Sequence, residues 1–209
     1  MQQIFLSSIP NELIEKHTAV FKNAGLHLRA LEVENQSLAR VLSYDSDDPT
    51  LILDIGARSS STTIAAGGFT RYVSQTDFAG ASLTQALAQG LGIAPRRAEE
   101  LKYTRGLLGA GGEQELSTLL EPILGVILNE ADRARKGYER SYGGRISRVL
   151  ISGGSARLLG LRAYVEQALG LPAKIASPFD AISFPSSLRP LTMELGPLFA
   201  VACGLGLRN

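Results

Sequence analysis

One aspartate, Asp54, stands at the end of a short apolar stretch and is followed closely by a glycine. Residues 51–53 are aliphatic, and Ile55, Gly56 and a run of hydroxyl residues come after it. The apolar run predicts a buried strand, and the glycine and serines predict a turn into a second strand. A carboxylate in this place could orient water or Mg²⁺ beside a phosphate, or it could be a buried acid that caps the turn.

Two glycine turns have the composition of anion sites. Backbone N–H groups and hydroxyls in such turns can bind phosphate oxygens, and glycine lets the chain pass close to a ligand. The alternatives are a plain hairpin turn for the first and a tight strand-to-helix turn for the second. The residues concerned are Gly56, Ser59 and Ser60 in the first turn, and Gly153, Gly154 and Ser155 in the second.

One pair of opposite charges has helical spacing. Glu99 and Lys102 are three residues apart in a helix predicted to start at Pro95, so the two side chains can meet on one face. The two histidines, His17 and His27, lack the neighbouring ligands that a metal site needs. No Ser-His-Asp arrangement is visible in the sequence.

The elements that must position these residues alternate in type along the chain. Apolar periodicity predicts a long helix that contains Pro122, which implies a kink or a late helix start. The Gly67-Gly68 pair predicts a hairpin turn. Loop is predicted at 45–49 and 105–112. Strands are predicted at 4–6, 51–55, 61–66, 70–76, 148–152 and 173–176, and helices at about 10–24, 35–44, 78–90, 95–102, 116–134, 158–169 and 194–207.

Composition limits the possible partners. The chain has 21 Lys and Arg against 20 Asp and Glu. This balance lacks the excess of positive charge that binding to nucleic acid or an anionic membrane requires. The basic residues between Arg133 and Arg145 are predicted to be a solvated helix face. A single cysteine, Cys203, excludes an internal disulfide and fits a reducing compartment. With no signal-peptide pattern and no bilayer-length apolar run, we expect a cytosolic protein that reaches the membrane only through partners.

Residues 54–61 resemble the second phosphate loop of the actin-like ATPases, and residues 150–161 resemble their adenosine motif. Within that superfamily the chain resembles the PilM family of type IV pilus assembly, and more distantly FtsA of cell division. Further matches cover most of the chain. They are Ala98-Glu99-Glu100-Leu101-Lys102, Leu120-Glu121-Pro122-Ile123-Leu124 with Glu130 and Arg133, and Gly170-Leu171-Pro172 leading to Ser177-Pro178-Phe179.

The resemblance implies an α/β, actin-like (ribonuclease H-like) fold. It would have a mixed five-stranded sheet with helices on both faces and a small helical insertion at about 92–145. It also implies ATP and Mg²⁺ as cofactors, with Asp54 acting on Mg²⁺ through water. Glu99 and Lys102 would contact the ribose, or else form an exposed ion pair. Gly80 would approach the terminal phosphate, or simply start its helix.

The resemblance also shows departures. Family members begin with another phosphate loop in a subdomain called 1A, and no second copy of this loop is visible in the sequence. We therefore expect a truncated protein or fragment, with residues 1–49 a partial first domain and 50–209 an actin-like second domain. Arg58 replaces a small residue and Ser61 replaces a common Asp, so ATP binding is expected to dominate over efficient hydrolysis. With half of the phosphate clamp missing, ATP binding by this chain alone should be weak or absent.

The implied function is a cytoplasmic nucleotide-binding scaffold, peripheral to the inner membrane. It would dock on the cytoplasmic tail of a PilN-like inner-membrane protein and contact other pilus assembly components. An exposed apolar face where subdomain 1A would sit predicts self-association into a homo-oligomer. The alternatives are an FtsA-like cell-division adaptor, or an ATPase or sugar-kinase-like phosphotransferase of the same fold.

Overall fold

The computed structural model describes Ile4, residues 6–107 and residues 114–208. The strands are β1 (Thr50–Ile55), β2 (Ser60–Ala66), β3 (Phe69–Thr76), β4 (Val149–Ser152) and β5 (Ala173–Ile175). The helices are α1 (Asn11–Asn23), α2 (Glu34–Leu42), α3 (Gly80–Leu91), α4 (Pro95–Arg105), α5 (Gln114–Tyr142), α6 (Leu161–Leu169) and α7 (Arg189–Gly206). Short 3₁₀ turns lie at Gly154–Arg157, Pro178–Ala181 and Ser186–Leu188.

The five strands form one mixed sheet in the order β3-β2-β1-β4-β5. β1, β2 and β3 pair antiparallel, and β1, β4 and β5 pair parallel. Gly67 and Gly68 both have positive φ, 59° and 77°, which is the geometry of a tight hairpin turn that glycine adopts without strain. The predicted mixed sheet and its glycine hairpin are therefore confirmed.

Helices cover both faces of the sheet, because side chains alternate along each strand. Leu51, Leu53 and Ile55 of β1 pack into a core with α3, α5 and α6. Ile52 points to the opposite face and packs against α2 and α7. The helices α2 and α7 approach so closely that a Cβ on Gly204 would lie 2.0 Å from the carbonyl oxygen of Ser37. Any side chain larger than hydrogen at 204 would therefore force α2 and α7 apart.

Some predicted boundaries differ from the structure. Ile4 and Leu6 are not in a strand, and Phe5 lies outside the described residues. Arg105 ends α4 instead of starting a loop, and the rest of that predicted loop from 108 onward is also outside the described residues. α5 begins at Gln114, well before Pro122, so a late helix start is wrong. Buried leucines on both sides of that proline, such as Leu120 and Leu124, outweigh its missing hydrogen bond. α7 starts at Arg189, five residues earlier than predicted, with Pro190 suited to the first turn.

The helix α1 has an apolar face that the described chain leaves partly exposed. None of its residues is buried, and Leu13 and Val20 are 45% and 65% exposed. In contrast α2, which also lies within the predicted 1–49 segment, is largely buried against the sheet and α7. The proposed boundary at residue 49 remains a prediction. No helix in the described ranges is both long enough and apolar enough to cross a membrane.

Candidate functional site

Asp54 lies in a polar row across the ends of three neighbouring strands. Its register partners are Ser61 on β2 and Ser152 on β4, so the three side chains share the sheet face that α2 and α7 cover. The first helical turn of α2 reaches this row. There, the amide of Asn35 donates to the hydroxyls of Ser61 (3.1 Å) and Thr63 (2.8 Å). We call Asp54, Ser61 and Ser152 the Asp54 row.

Burial raises the pKa of Asp54 to about 6. A hydrogen bond from Ser152 opposes this rise, and the negative charge of Glu34 adds to it. The Ser152 hydroxyl has one proton and two acceptors in reach, the Asp54 carboxylate and the carbonyl oxygen of Pro197 at 3.2 Å. Glu34, which was not a predicted site residue, is the first residue of α2, and its charge acts on Asp54. A cation at the row would relieve the repulsion between the two carboxylates.

Glycines bring three elements together beside the row. Gly153 has φ +83°, and a Cβ there would lie 2.5 Å from the carbonyl oxygen of Ile55 and 2.9 Å from Oδ1 of Asp54. The N–H of Gly80, the first residue of α3, donates to the carbonyl oxygen of Gly56 at 2.9 Å. A Cβ on Gly80 would also come within 2.9 Å of the Ser155 hydroxyl. Glycine at 80 therefore starts α3 and also permits this close junction.

A cavity of about 330 Å³ opens where these elements meet α4. Six predicted ligand-binding residues line it: Gly56, Gly80, Glu99, Lys102, Gly154 and Ser155. Asp54, Ser59, Ser60 and Gly153 do not line it. Ser60 instead donates its hydroxyl to the carbonyl oxygen of Phe78 at 2.7 Å, which fixes the first turn. We call this cavity the glycine pocket.

Six residues that were not predicted also line this pocket. They are Ala57, Ala81, Thr84, Gln85, Pro95 and Tyr103. Two of them carried a usable signal. Thr84 lies four residues after Gly80 and therefore on the same side of α3, and Tyr103 directly follows Lys102.

The side chain of Lys102 is only 2% exposed, so the exposed ion pair that was one alternative for Glu99 and Lys102 is wrong for the lysine. Its ammonium donates to Oε2 of Glu99 (2.7 Å), Oγ1 of Thr84 (2.9 Å) and the carbonyl oxygen of Gly80 (3.1 Å). It also lies 4.7 Å from the ring centre of Tyr103.

Burial acts to raise the pKa of the Glu99 carboxyl, but hydrogen bonds from Lys102 and Thr84 and the Lys102 charge lower it overall. For Tyr103 the pKa is raised, mainly by burial and then by the charge of Glu99. The pocket wall on α4 therefore presents an ionised carboxylate beside a protonated phenol at neutral pH.

Comparison with known proteins identifies the family. The sequence model described as "Type IV pilus assembly protein PilM" matches residues 1–209. The chain belongs to the PilM family. The structure entitled "PilM-PilN type IV pilus biogenesis complex" is similar with 26% identity and a TM-score of 0.79, covering 95% of this chain and 58% of that chain. This member of the PilM family thus spans a little over half of the length of the solved PilM complex chain that it matches.

Two further structures show the actin-like fold. The ethanolamine utilization protein EutJ from Carboxydothermus hydrogenoformans has 20% identity and a TM-score of 0.69, over 97% of this chain and 62% of EutJ. MreB5 of Spiroplasma citri bound to AMPPNP has 18% identity and a TM-score of 0.73, over 96% of this chain and 65% of MreB5. The fold expected of a PilM family member is therefore confirmed.

The residues present fit a magnesium nucleotide. Mg²⁺ in proteins is commonly held by one or two carboxylates together with water and phosphate oxygens, and the Asp54 row offers one carboxylate with hydroxyls beside it. Among the residues that the structure describes, no three His, Cys, Asp or Glu side chains converge as a self-sufficient metal site. Arg58, the departure noted in the first turn of this PilM family member, is exposed at the tip of the β1–β2 turn.

Proposed function

We propose that this chain is an actin-like nucleotide-binding scaffold of type IV pilus assembly and that the glycine pocket takes ATP with Mg²⁺. One observation carries the proposal. The pocket lies where the turns that follow two parallel strands, β1 and β4, meet the start of α3. Ligands of α/β proteins characteristically bind beyond the carboxyl ends of parallel strands.

Each predicted residue has a role in this proposal. Ser59 offers its backbone N–H and hydroxyl to phosphate oxygens, and Asp54 binds Mg²⁺ through water. Gly56 shapes this turn, since its own N–H donates to the carbonyl oxygen of Ser59 at 3.1 Å. Glu99 accepts from a sugar hydroxyl. Four of the remaining residues line the pocket: Gly80 lies beside the phosphates, Lys102 holds Glu99, and Gly154 and Ser155 let the adenosine approach. Ser60 and Gly153 lie outside the lining, where Ser60 fixes the first turn and Gly153 allows a close approach to Ile55.

The activity that we propose is ATP binding, without efficient ATP hydrolysis. The structure of MreB5 bound to AMPPNP supports the choice of nucleotide, because it shows a protein of this fold with an ATP analogue. The sequence shows one phosphate loop where actin-like sites use two, and half of a clamp holds phosphates weakly. We therefore expect weak Mg-ATP binding by this chain alone.

The test is a titration with Mg-ATP in which binding is measured by calorimetry and by the change in amide chemical shifts. Shifts confined to the pocket residues at millimolar ATP are expected. Submicromolar affinity would contradict the weak binding proposed, and no shift up to about 10 mM would contradict the site itself.

A glycine variant and a matched control locate the ligand. A Cβ at Gly154 would lie 3.8 Å from Leu198 and 3.9 Å from the Tyr103 hydroxyl, which are ordinary contacts. We therefore expect Gly154→Val to fold and its methyl groups to occupy part of the pocket. It should weaken ATP binding by about tenfold or more. Gly137→Ala on α5, where a Cβ meets no atom within 4 Å, should leave ATP binding unchanged.

The partner proposed is the cytoplasmic tail of a PilN-like inner-membrane protein, which would bring the chain to the membrane from the cytoplasm. The similarity to a PilM-PilN complex supports this partner, and the partly exposed face of α1 supplies an apolar surface for it. Fluorescence anisotropy with the labelled tail peptide tests it. Leu13→Ser with Val20→Ser should weaken binding, whereas Leu191→Ser on α7, also an exposed leucine, should not.

The same exposed apolar surface supports self-association. Light scattering across a concentration series should show a rising average mass, and the α1 double variant should lower it. A monomer at every concentration would contradict a homo-oligomer.

A further inference from the structure

The exposed side of α7 is apolar, and so is its buried side. The buried residues of this helix pack toward α2 and β4. On the outside, Leu191, Leu198 and Leu205 are 51%, 46% and 48% exposed. By contrast, the outer side of α6 carries charges, those of the ion pair between Arg162 and Glu166. A helix that is apolar on all sides is normally covered on all sides, so the outer side of α7 has the composition of an interface.

Five residues on this side of α7 are spaced alternately by four and three positions. Such spacing keeps side chains on one stripe of a helix, as at the a and d positions of a coiled coil. The first and last of them are 14 positions apart. At 1.5 Å per residue the stripe is therefore about 21 Å long. All of them are exposed except Leu195, which is half-buried. We call these five residues the α7 seam: Leu191, Leu195, Leu198, Ala202 and Leu205.

The α7 seam is nearly symmetrical about Leu198. Leu191 and Leu205 lie seven positions on either side of it, and Leu195 and Ala202 lie three and four positions away. A second α7 laid antiparallel would bring Leu198 against its own copy and Leu191 against Leu205. It would also bring the large Leu195 against the small Ala202, an alternation that lets side chains interdigitate. An interface with two-fold symmetry requires this kind of self-complementarity.

Charge does not oppose such a pairing. Between positions 190 and 207 the one charged residue is Glu194, and it pairs with Arg157 of the same chain at 3.1 Å. In the antiparallel arrangement the two copies of Glu194 would lie about 12 Å apart along the helix axis, beyond the screening length of about 8 Å at physiological salt. The pairing therefore brings leucines together without opposing like charges.

We propose that the α7 seam docks a second copy of this chain, by antiparallel pairing of the two α7 helices about Leu198. The symmetry of the seam favours a second copy over an unrelated helix, which would need no such symmetry. This surface goes beyond the α1 surface proposed above for self-association and does not depend on ATP. Because the contact is limited to one side of one helix, we expect a weak dimer with a dissociation constant on the order of 10–100 μM.

Disulfide cross-linking tests the position of the two-fold axis. Leu198→Cys places one thiol of each copy on the axis, so oxidation should join the chains into a covalent dimer. Leu205→Cys is the matched control, because its two thiols would lie about 21 Å apart along the helix axis and should not be joined. Adding Leu191→Cys to Leu205→Cys should restore the cross-link. The natural chain should not cross-link, because its one cysteine, Cys203, is buried.

Sedimentation equilibrium tests the strength of the same contact. Leu198→Glu sets two carboxylates against each other on the axis and should weaken the dimer by about tenfold or more. Val126→Glu makes the same kind of change at an exposed residue of α5 and should leave the dissociation constant unchanged. Far-UV circular dichroism shows whether each variant folds. If Leu198→Glu does not fold, the cross-linking of Leu198→Cys decides alone.

Three results would overturn this inference. The first is a natural chain that stays monomeric up to about 1 mM. The second is equal cross-linking of Leu198→Cys and Leu205→Cys, which would mean random collision or a parallel pairing. The third is loss of the Leu198→Cys cross-link when Leu13→Ser and Val20→Ser are added, which would mean that α1 holds the copies together. None of these results touches the nucleotide site, which the Mg-ATP titration tests separately.

Discussion

Two carboxylates on the same side of the sheet, those of Glu32 and Asp54, have opposite pKa shifts. Glu32, just before α2, receives hydrogen bonds from both terminal nitrogens of Arg40 at 2.7 and 2.8 Å, from Arg208 at 2.5 Å and from Ser37. Asp54 has no Lys or Arg partner in the described ranges and has the charge of Glu34 nearby. The pKa of Glu32 is lowered to about 2, chiefly by its hydrogen bond from Arg40, whereas burial raises the pKa of Asp54 to about 6.

The difference fits a structural role for Glu32 and the cation-binding role that we propose for Asp54. Arg40 also donates to the carbonyl oxygen of Gly204 at 2.8 Å, so the Glu32 cluster ties α2 to the end of α7. Its charges are satisfied within the protein, and it stabilises the fold. Ionisation of Asp54, in contrast, destabilises the fold, because the charge is buried without a cationic partner. This is expected of a carboxylate that binds a cation supplied by a ligand.

The largest effect should come from breaking the Glu32 cluster. Glu32→Ala leaves Arg40, whose side chain is 23% exposed, without its carboxylate. We expect a loss of about 2–3 kcal/mol in the free energy of unfolding at pH 7, measured by urea denaturation. Glu12→Ala, which breaks an exposed pair with Lys16 on α1, should cost less than about 0.5 kcal/mol. Similar losses for the two variants would show that the cluster contributes no more than a surface pair.

Acid should erase the contribution of Glu32. Its folded pKa lies below the ordinary value of 4.5, so its stabilising effect is present above that pH and is lost as pH falls toward 2. The gap in unfolding free energy between the natural chain and Glu32→Gln should therefore close over this window. A gap that persists at pH 2 would contradict the role of the ionised carboxylate.

The substitution Asp54→Asn should change stability in the opposite direction and stabilise the fold at high pH. The folded pKa of Asp54 is raised, so its stabilising effect is present below the unfolded pKa and is lost as pH rises through about 6. At pH 8 the asparagine variant should be more stable than the natural chain by about 1–3 kcal/mol and should have lost the effect of Mg²⁺ on ATP binding. The two chains should converge near pH 4. A variant less stable than the natural chain at pH 8 would show that Asp54 is a structural cap.

Local signals explain which of these features could be predicted. Short windows of sequence are enough to predict Asp54 at a strand end, the Gly67-Gly68 turn and the type of most elements. The structure confirms the turn and the five strands from residue 50 onward, but not the strand predicted at 4–6. The Glu32 cluster could not be predicted, because Glu32 and Arg208 are 176 residues apart and meet only when α2 packs on α7.

Burial was the other quantity that local patterns misjudged. Lys102 has the spacing of a surface ion pair, yet α3 and the Tyr103 ring cover it. The apolar face of α1 has the period of a packed helix, yet none of its residues is buried by the described part of the chain. Both depend on which elements come to lie alongside, and neither spacing nor period carries that information.

The smallest effect tests whether the two carboxylates at the Asp54 row act on each other. Glu34 is exposed at the start of α2, so solvent screens its charge, and its influence on Asp54 is the weakest of the three causes of the shift. Glu34→Gln should therefore lower the pKa of Asp54 by less than about half a unit. Carbon-13 NMR titration of the Asp54 carboxyl measures this directly.

Raising the ionic strength should shrink the difference between the natural chain and Glu34→Gln, because screening weakens only the Coulomb part and leaves the burial of Asp54 as it was. A drop of a full unit or more would instead mean that Glu34 shares the proton with Asp54, and that the two titrate as a pair.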